Sequence, residues 1–311
     1  VLQNQNLNAV IQIQGLTKHY ANQFALRDVS ITVPPGVTGL LGPNGSGKST
    51  FIKALLGLVK TDSGHGTVLG LQWPKQVKTL RDKIGYLPED DCYILGLQGI
   101  ESVQMMARLS GLPTTEALRR AHEVLDFCDV GQERYRNVET YSTGMRQKLK
   151  FAQALVHDPQ LIILDEPTTG LDPTQREEFL DRIQVLANKF GKSILLSTHI
   201  LHDVQQVCDQ VIILVRGQVR LADSLANMQR PSQFGLRVSV VRDGLRFAES
   251  LRRENLQVDC HNNQELQIAG LSAATAQAIW AVSIKEGILI QRMDEARASL
   301  ETSFLDIVSE K

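Results

Sequence analysis

The chain is short of cysteine, of net charge and of long apolar runs, and each shortage excludes something. Only four of its 311 residues are cysteines, Cys92, Cys128, Cys208 and Cys260. They are scattered with no C-x-x-C pair, so they read as small core or helix residues of a reducing compartment, not as a disulfide framework. A formal charge of −1 with no Lys/Arg block leaves no electrostatic footprint for nucleic acid. Apolar runs such as Val211–Val215 fall far short of the roughly 18–20 residues that span a bilayer. The opening Val1-Leu2-Gln3-Asn4-Gln5-Asn6-Leu7-Asn8 is polar and has no charged n-region followed by an apolar stretch. A soluble, cytoplasmic chain is expected, with any membrane role arising through partners. Its length predicts about two domains.

What the chain does have is a phosphate-binding loop. Gly42-Pro43-Asn44-Gly45-Ser46-Gly47-Lys48-Ser49 fits G-x-x-x-x-G-K-[ST] at every fixed position. Glycines let backbone N–H groups approach a triphosphate closely. Lys48 is placed to reach the β- and γ-phosphates, and the Ser49 hydroxyl to ligate Mg²⁺. The flanks suit the motif: Val37-Thr38-Gly39-Leu40-Leu41 reads as a buried strand and Phe51–Leu56 as a helix whose dipole faces the phosphates.

Leu161-Ile162-Ile163-Leu164-Asp165-Glu166 reads as a core strand of a parallel sheet ending in two acids at its C-terminal edge, where ligands bind in open α/β sheets. Asp165 suits the Mg²⁺ shell, and Glu166 suits the polarisation of an attacking water. His199 follows the apolar strand Ser193–Leu196 at the same edge, from where an imidazole can hydrogen-bond a γ-phosphate. His199 and His202 are spaced to share a helical face as metal ligands, but only Asp203 accompanies them, short of a zinc set.

Taken together, Tyr141-Ser142-Thr143-Gly144-Met145-Arg146-Gln147-Lys148, the acidic strand, Pro167-Thr168-Thr169-Gly170-Leu171-Asp172-Pro173 and Leu195-Leu196-Ser197-Thr198-His199 resemble, in order and spacing, the ATP-binding cassette (ABC) ATPases. The resemblance covers roughly residues 10 to 220. It implies that 42–49 is Walker A with Thr50 beside it, that 161–166 is Walker B and that 141–145 is the signature. It further implies that Ser142 and Gly144 contact a γ-phosphate, that Asp172 belongs to the D-loop, that His199 is the switch histidine and that Tyr20 stacks on adenine. ATP and Mg²⁺ are the ligands implied. Two departures stand out. The signature is Tyr-Ser-Thr-Gly-Met where Leu-Ser-Gly-Gly-Gln is usual. The Q-loop glutamine is Glu89, a further oxygen for Mg²⁺ or water that adds negative charge beside Asp165 and Glu166. Both resemble the branch serving exporters of drugs, lipids, polysaccharides or antibiotics.

The fold class expected is α/β: a P-loop cassette over 1–226 with a helical subdomain at about 90–158, then a ferredoxin-like α+β domain over 235–311. Within the helical block, Ala117, Ala121, Val124, Leu125 and Cys128 recur at helical spacing. Asp172 as N-cap and Pro173 at N1 open a helix that runs to Gly191. After a polar linker at 227–233, the tail predicts β-α-β-β-α-β. The expected turn His261-Asn262-Asn263 lies within it, and a last helix, Ser299–Val308, closes it. Trp280, at helical spacing from Ala276 and Ile284, reads as core. The tail is expected to stabilise a dimer or to regulate. One cassette cannot bring its signature to its own phosphate loop if the family geometry holds. The expectation is therefore a head-to-tail pair, with a second copy or a paralogue, docked on a membrane permease and powering export, without nucleic acid. Two alternatives stand beside it: a soluble ABC ATPase acting on ribosomes or DNA, and a regulatory module that holds ATP without turnover. The former commonly carries two cassettes, zinc modules or basic arms, and Glu166 argues against the latter.

Overall fold

The computed structural model describes residues 9–21, 23–228, 235–260, 263–269, 272–295 and 304. The chain divides into two compact units, with the boundary along the chain between Leu225 and Ala226.

The first unit is built on two sheets. β1 (Ile11–Tyr20) and β2 (Gln23–Val33) pair antiparallel. β3 (Val37–Leu41) follows and leads into α1 (Lys48–Leu55). β4 (Ser63–Val68) and β5 (Leu71–Trp73) complete a four-stranded sheet of order β2-β1-β4-β5. After α2 (Val77–Arg81) comes β6 (Ile84–Leu87) and then the helical block: α3 (Gly99–Leu109), α4 (Thr114–Phe127) and α5 (Thr143–Leu155). The core resumes with β7 (Leu161–Asp165), α6 (Pro173–Phe190), β8 (Ser193–Thr198), α7 (Leu201–Val207), β9 (Gln210–Val215) and β10 (Gln218–Ser224). These strands form a sheet of order β10-β9-β3-β8-β7-β6, parallel throughout except for β10.

The sequence explains this order. Leu161, Ile162, Ile163 and Leu164 are all fully buried, as both faces of a central parallel strand must be. β2 instead buries Val29, Ile31 and Val33 in alternation, one face to the core and one to solvent. In α4, Ala117, Ala121, Val124 and Leu125 are the buried stripe that the spacing predicts. Asp172 caps α6 by accepting from the Gln175 amide at 2.9 Å, and Gly191, at φ 64°, ends it. No helix among the described residues is long and apolar enough to cross a membrane.

The short helix α8 (Leu225–Met228) spans the boundary between the units. The second unit runs β11 (Gly235–Val240), α9 (Gly244–Arg253), β12 (Val258–Cys260), β13 (Glu265–Ala269), α10 (Ala273–Glu286) and β14 (Ile290–Glu295). Its antiparallel sheet has the order β12-β13-β11-β14, with Phe247 and Leu251 of α9 and Ile279 and Val282 of α10 packed on it. Two expectations need correction. Trp280 is not core: it is 49 % exposed and Ile284 79 %. The Ala276–Trp280–Ile284 stripe is a true helical period, but α10 is apolar on more than one side, and the sheet takes the adjacent stripe. Cys92 is neither core nor helix; it is exposed in the loop after β6. Apart from Phe304, the expected closing helix lies outside the described residues, as do most of the linker and of the 261–263 turn.

Candidate nucleotide site

Four adjacent strands end on one edge, and each end carries a residue singled out from the sequence. β3 runs into the phosphate loop, β7 ends in Asp165 and Glu166, β8 precedes His199, and β6 precedes Glu89. A parallel sheet brings these segments together because all its strands point the same way. They surround a cavity of about 450 Å³, lined among others by Gly45, Lys48, Ser49, Glu89, Glu166 and His199, with Asn44, Ser46, Gly47 and Thr50 also on its wall. That volume suits a small-molecule ligand.

The loop is shaped by close backbone approach. Gly47 sits at φ 108°, and a Cβ there would lie 2.6 Å from the Ala25 carbonyl oxygen; at Gly42 it would lie 2.2 Å from the Leu214 carbonyl oxygen. No side chain fits either position. Lys48, 6 % exposed, donates to the carbonyls of Gly42 at 2.8 Å and Pro43 at 3.5 Å, and its Nζ lies 3.6 Å from Glu166 Oε1. The ammonium is thus held folded over its own loop, beside the first turn of α1, whose amides lack intrahelical partners.

Glu166 is nearly buried. Its Oε2 lies 2.8 Å from His199 Nδ1, its amide donates to the Ser197 carbonyl at 2.9 Å, and its φ is 49°. Asp165 is 1 % exposed, and its Oδ1 has no hydrogen-bond partner. Burial pushes the Asp165 carboxyl above its ordinary range and Glu166 adds to this. The nearby Ser197 and Ser49 hydroxyls and Lys48 pull the other way, although no hydrogen bond closes on Oδ1. A buried, unpaired carboxylate oxygen is costly alone and calls for a cation. With the Ser49 hydroxyl at hand, these residues fit Mg²⁺.

Other predicted residues lie elsewhere. Tyr20, at the end of β1, is half exposed with the Lys18 ammonium 4.8 Å from its ring centroid, and it is not on the cavity wall. Neither are Ser142, Gly144 and Asp172. Ser142 instead caps α5, accepting from the Met145 amide at 3.3 Å. Tyr141, one of the variant signature residues, is buried, and its hydroxyl donates to the Glu133 carbonyl at 2.7 Å. His202 is exposed, whereas Asp203 is buried and bonded to Thr168 and Arg176.

Two contacts escaped the sequence reading. Lys150 Nζ donates to the carbonyls of Pro88, Glu89 and Asp90 at 3.0, 3.1 and 3.4 Å, and Arg146 pairs with Asp91 at 2.9 Å. The signature helix therefore grips the loop that carries Glu89. Burial holds the Lys150 ammonium below its usual range, with the acids of that loop opposing. Nothing in the spacing of lysines along α5 signals which of them faces a distant loop.

A phosphate loop between a parallel strand and a helix, with two acids and a histidine on the neighbouring strand ends, defines a P-loop nucleoside triphosphatase. A family model described as ABC transporter matches residues 26–169. An uncharacterized ABC transporter ATP-binding protein of Bacillus subtilis, YxlF, is 33 % identical over 303 residues, covering 96 % of this chain and 99 % of that one. The Nod factor export ATP-binding protein I of Rhizobium johnstonii is 36 % identical over 235 residues, or 75 % of each chain. A dimeric bacterial ABC transporter cassette superimposes with a TM-score of 0.64 at 25 % identity, over 69 % of this chain and 98 % of that one. The chain belongs to the ABC transporter ATP-binding proteins. It is an ATPase subunit that takes ATP with Mg²⁺.

Proposed function

We propose that this chain is the ATP-hydrolysing subunit of an exporter, working as a head-to-tail dimer on a membrane permease. The observation that carries the reading is a division of the site residues. Lys48, Glu166 and His199 line one cavity, while Ser142, Gly144 and Asp172 lie off it in the same chain. Residues 42–50 and Tyr20 of one subunit hold ATP, and Ser142 and Gly144 of the other reach its γ-phosphate.

When ATP binds, its phosphates replace the carbonyls now holding Lys48, and the ammonium moves to the β- and γ-oxygens. Ser49, Asp165 and Glu89 would hold Mg²⁺, which would supply neutralisation of the phosphate charge. Glu166 accepts a proton from the attacking water, and His199, already bonded to Glu166, steadies the carboxylate and contacts the γ-phosphate. Asp172 meets its counterpart region across the dimer. Residues 1–226 act as the cassette, with about 90–158 turned to the permease. Residues 235–311, read as a ferredoxin-like split βαβ unit, stabilise or regulate the dimer. The chain then works at the cytoplasmic face, held there by the permease.

Export is supported by the names of similar proteins, the Nod factor export protein above and a linearmycin resistance ATP-binding protein of Bacillus subtilis that is 34 % identical over 211 residues. The test is assembly. Glu166→Gln with ATP should run as a dimer by light scattering, and adding Ser142→Phe should return it to a monomer that still binds ATP. A Glu166→Gln chain that stays monomeric at saturating ATP, or a dimer indifferent to Ser142, overturns the head-to-tail arrangement. Purification from native membranes should bring a permease with it.

A further inference from the structure

Asp203, in the first turn of α7, has no exposed surface, and neither the cavity nor the apolar core accounts for it. Burying a carboxylate costs several kcal/mol unless close partners offset it. Its partners come from two other segments. Oδ2 accepts from Thr168 Oγ1 at 2.5 Å, and Oδ1 accepts from Arg176 Nε at 2.5 Å, with the Arg176 Nη2 against the same oxygen.

The three segments are those that carry the chemistry. Thr168 is two residues beyond Glu166, Arg176 one helical turn beyond Asp172, and Asp203 one turn beyond His199. Glu166 itself is in the left-handed region at φ 49°. A non-glycine residue held there is strained and stays only if its surroundings over-determine it. The turn after Glu166 is fastened by the Glu166 amide on the Ser197 carbonyl, by the Thr169 amide on the Glu166 carbonyl at 3.3 Å, and by the Thr168 hydroxyl on Asp203. The last of these ties this turn to α7.

We propose that Asp203, bridged to Thr168 and Arg176, is a positioning residue for ATP hydrolysis. It locks the Glu166 turn, the start of α6 behind Asp172 and the helix behind His199 into one unit. The 2.8 Å Glu166–His199 contact is thereby held in register. This inference rests on the role proposed for Glu166 above. Arg176 neutralises the buried carboxylate, so the two act together and their substitutions should be non-additive.

The full chain is compared with Thr168→Val, Thr168→Ser, Asp203→Asn and the paired Arg176→Met/Asp203→Leu. ATP affinity, KM, kcat and Tm are measured for each, below every Tm. Thr168→Val and Asp203→Asn should lower kcat about 10–100-fold, the scale of a small misplacement of reacting groups. KM and ATP affinity should stay within about twofold. Thr168→Ser keeps the hydroxyl and should restore kcat. The apolar pair should hold or raise Tm, since replacing a buried ion pair with packed apolar residues is often neutral or stabilising, and yet leave kcat low. Wild-type kcat in Thr168→Val and Asp203→Asn, or in the apolar pair, overturns the proposal. An inactive wild type, or an active Glu166→Gln, overturns instead the reading on which it rests.

Discussion

Replacing Glu166 by glutamine preserves the length of the side chain and one oxygen while removing its charge and basicity. The carboxylate now holds His199 Nδ1 at 2.8 Å and stands 3.6 Å from Lys48 Nζ, with both charged side chains 7 % exposed. The substitution does not strand Lys48, which keeps the Gly42 carbonyl at 2.8 Å. The folding penalty should therefore stay below the ~3–5 kcal/mol of an abandoned buried charge. At about 2–4 °C per kcal/mol for a domain of this size, Tm should fall by less than about 20 °C. The chemistry loses more in kind. A general base supplies about 10²–10⁴ in rate, or about 2.7–5.4 kcal/mol of barrier at 1.36 kcal/mol per factor of ten. Single-turnover hydrolysis and ATP affinity, measured at one temperature below both Tm values, separate the two effects. The expected outcome is near wild-type affinity with a rate at least about 10²-fold lower. A rate near wild type removes Glu166 from the role. Lost affinity together with a large fall in Tm would show that the carboxylate is mainly a structural partner of Lys48.

Three further outcomes follow from the same geometry. Glu89 stands on the cavity wall with Glu166, so Glu89→Gln should still hydrolyse ATP but depend less steeply on Mg²⁺; superimposable Mg²⁺ titrations, with and without the permease, would sink that argument. Gly47→Ala forces a Cβ to within 2.6 Å of the Ala25 carbonyl oxygen at φ 108°, so it should cost at least about 1–3 kcal/mol of stability and most ATP binding, and unchanged Tm and affinity would refute it. His157 Nε2 lies 3.1 Å from the Ile84 carbonyl oxygen, and burial holds its imidazole below the usual range, with that hydrogen bond opposing. The unfolded chain takes up this proton near pH 6.5 while the folded chain resists. The resulting stability is therefore present above about pH 6.5 and lost as pH falls through the lower folded value. His157→Gln should flatten the urea midpoint between about pH 7.5 and 5.5, and a profile as steep as that of the wild type would refute it.

Much of this protein is local, and local things are legible in a sequence. The phosphate loop is fixed by glycine geometry and by a strand and helix that adjoin it, so 42–49 declared itself. Leu161–Leu164 could only be a strand buried on both faces, and Asp172-Pro173 could only open a helix. Because parallel strands share a direction, knowing that Glu89, Glu166 and His199 each follow a strand nearly suffices to place them at one edge.

Tertiary structure decided what depends on a choice between equivalent faces or on a partner far along the chain. Period alone could not say whether α10 would turn Trp280 or Ile279 toward its sheet, since both lie on apolar stripes of one helix. Nor could it say that Lys150 closes on the carbonyls of 88–90, sixty or more residues away. Asp203 looked like a stray acid beside two histidines. Only packing buried it completely and gave it Thr168 and Arg176, because a carboxylate deprived of water takes whichever donors the fold brings within reach, and no spacing rule names donors on separate elements.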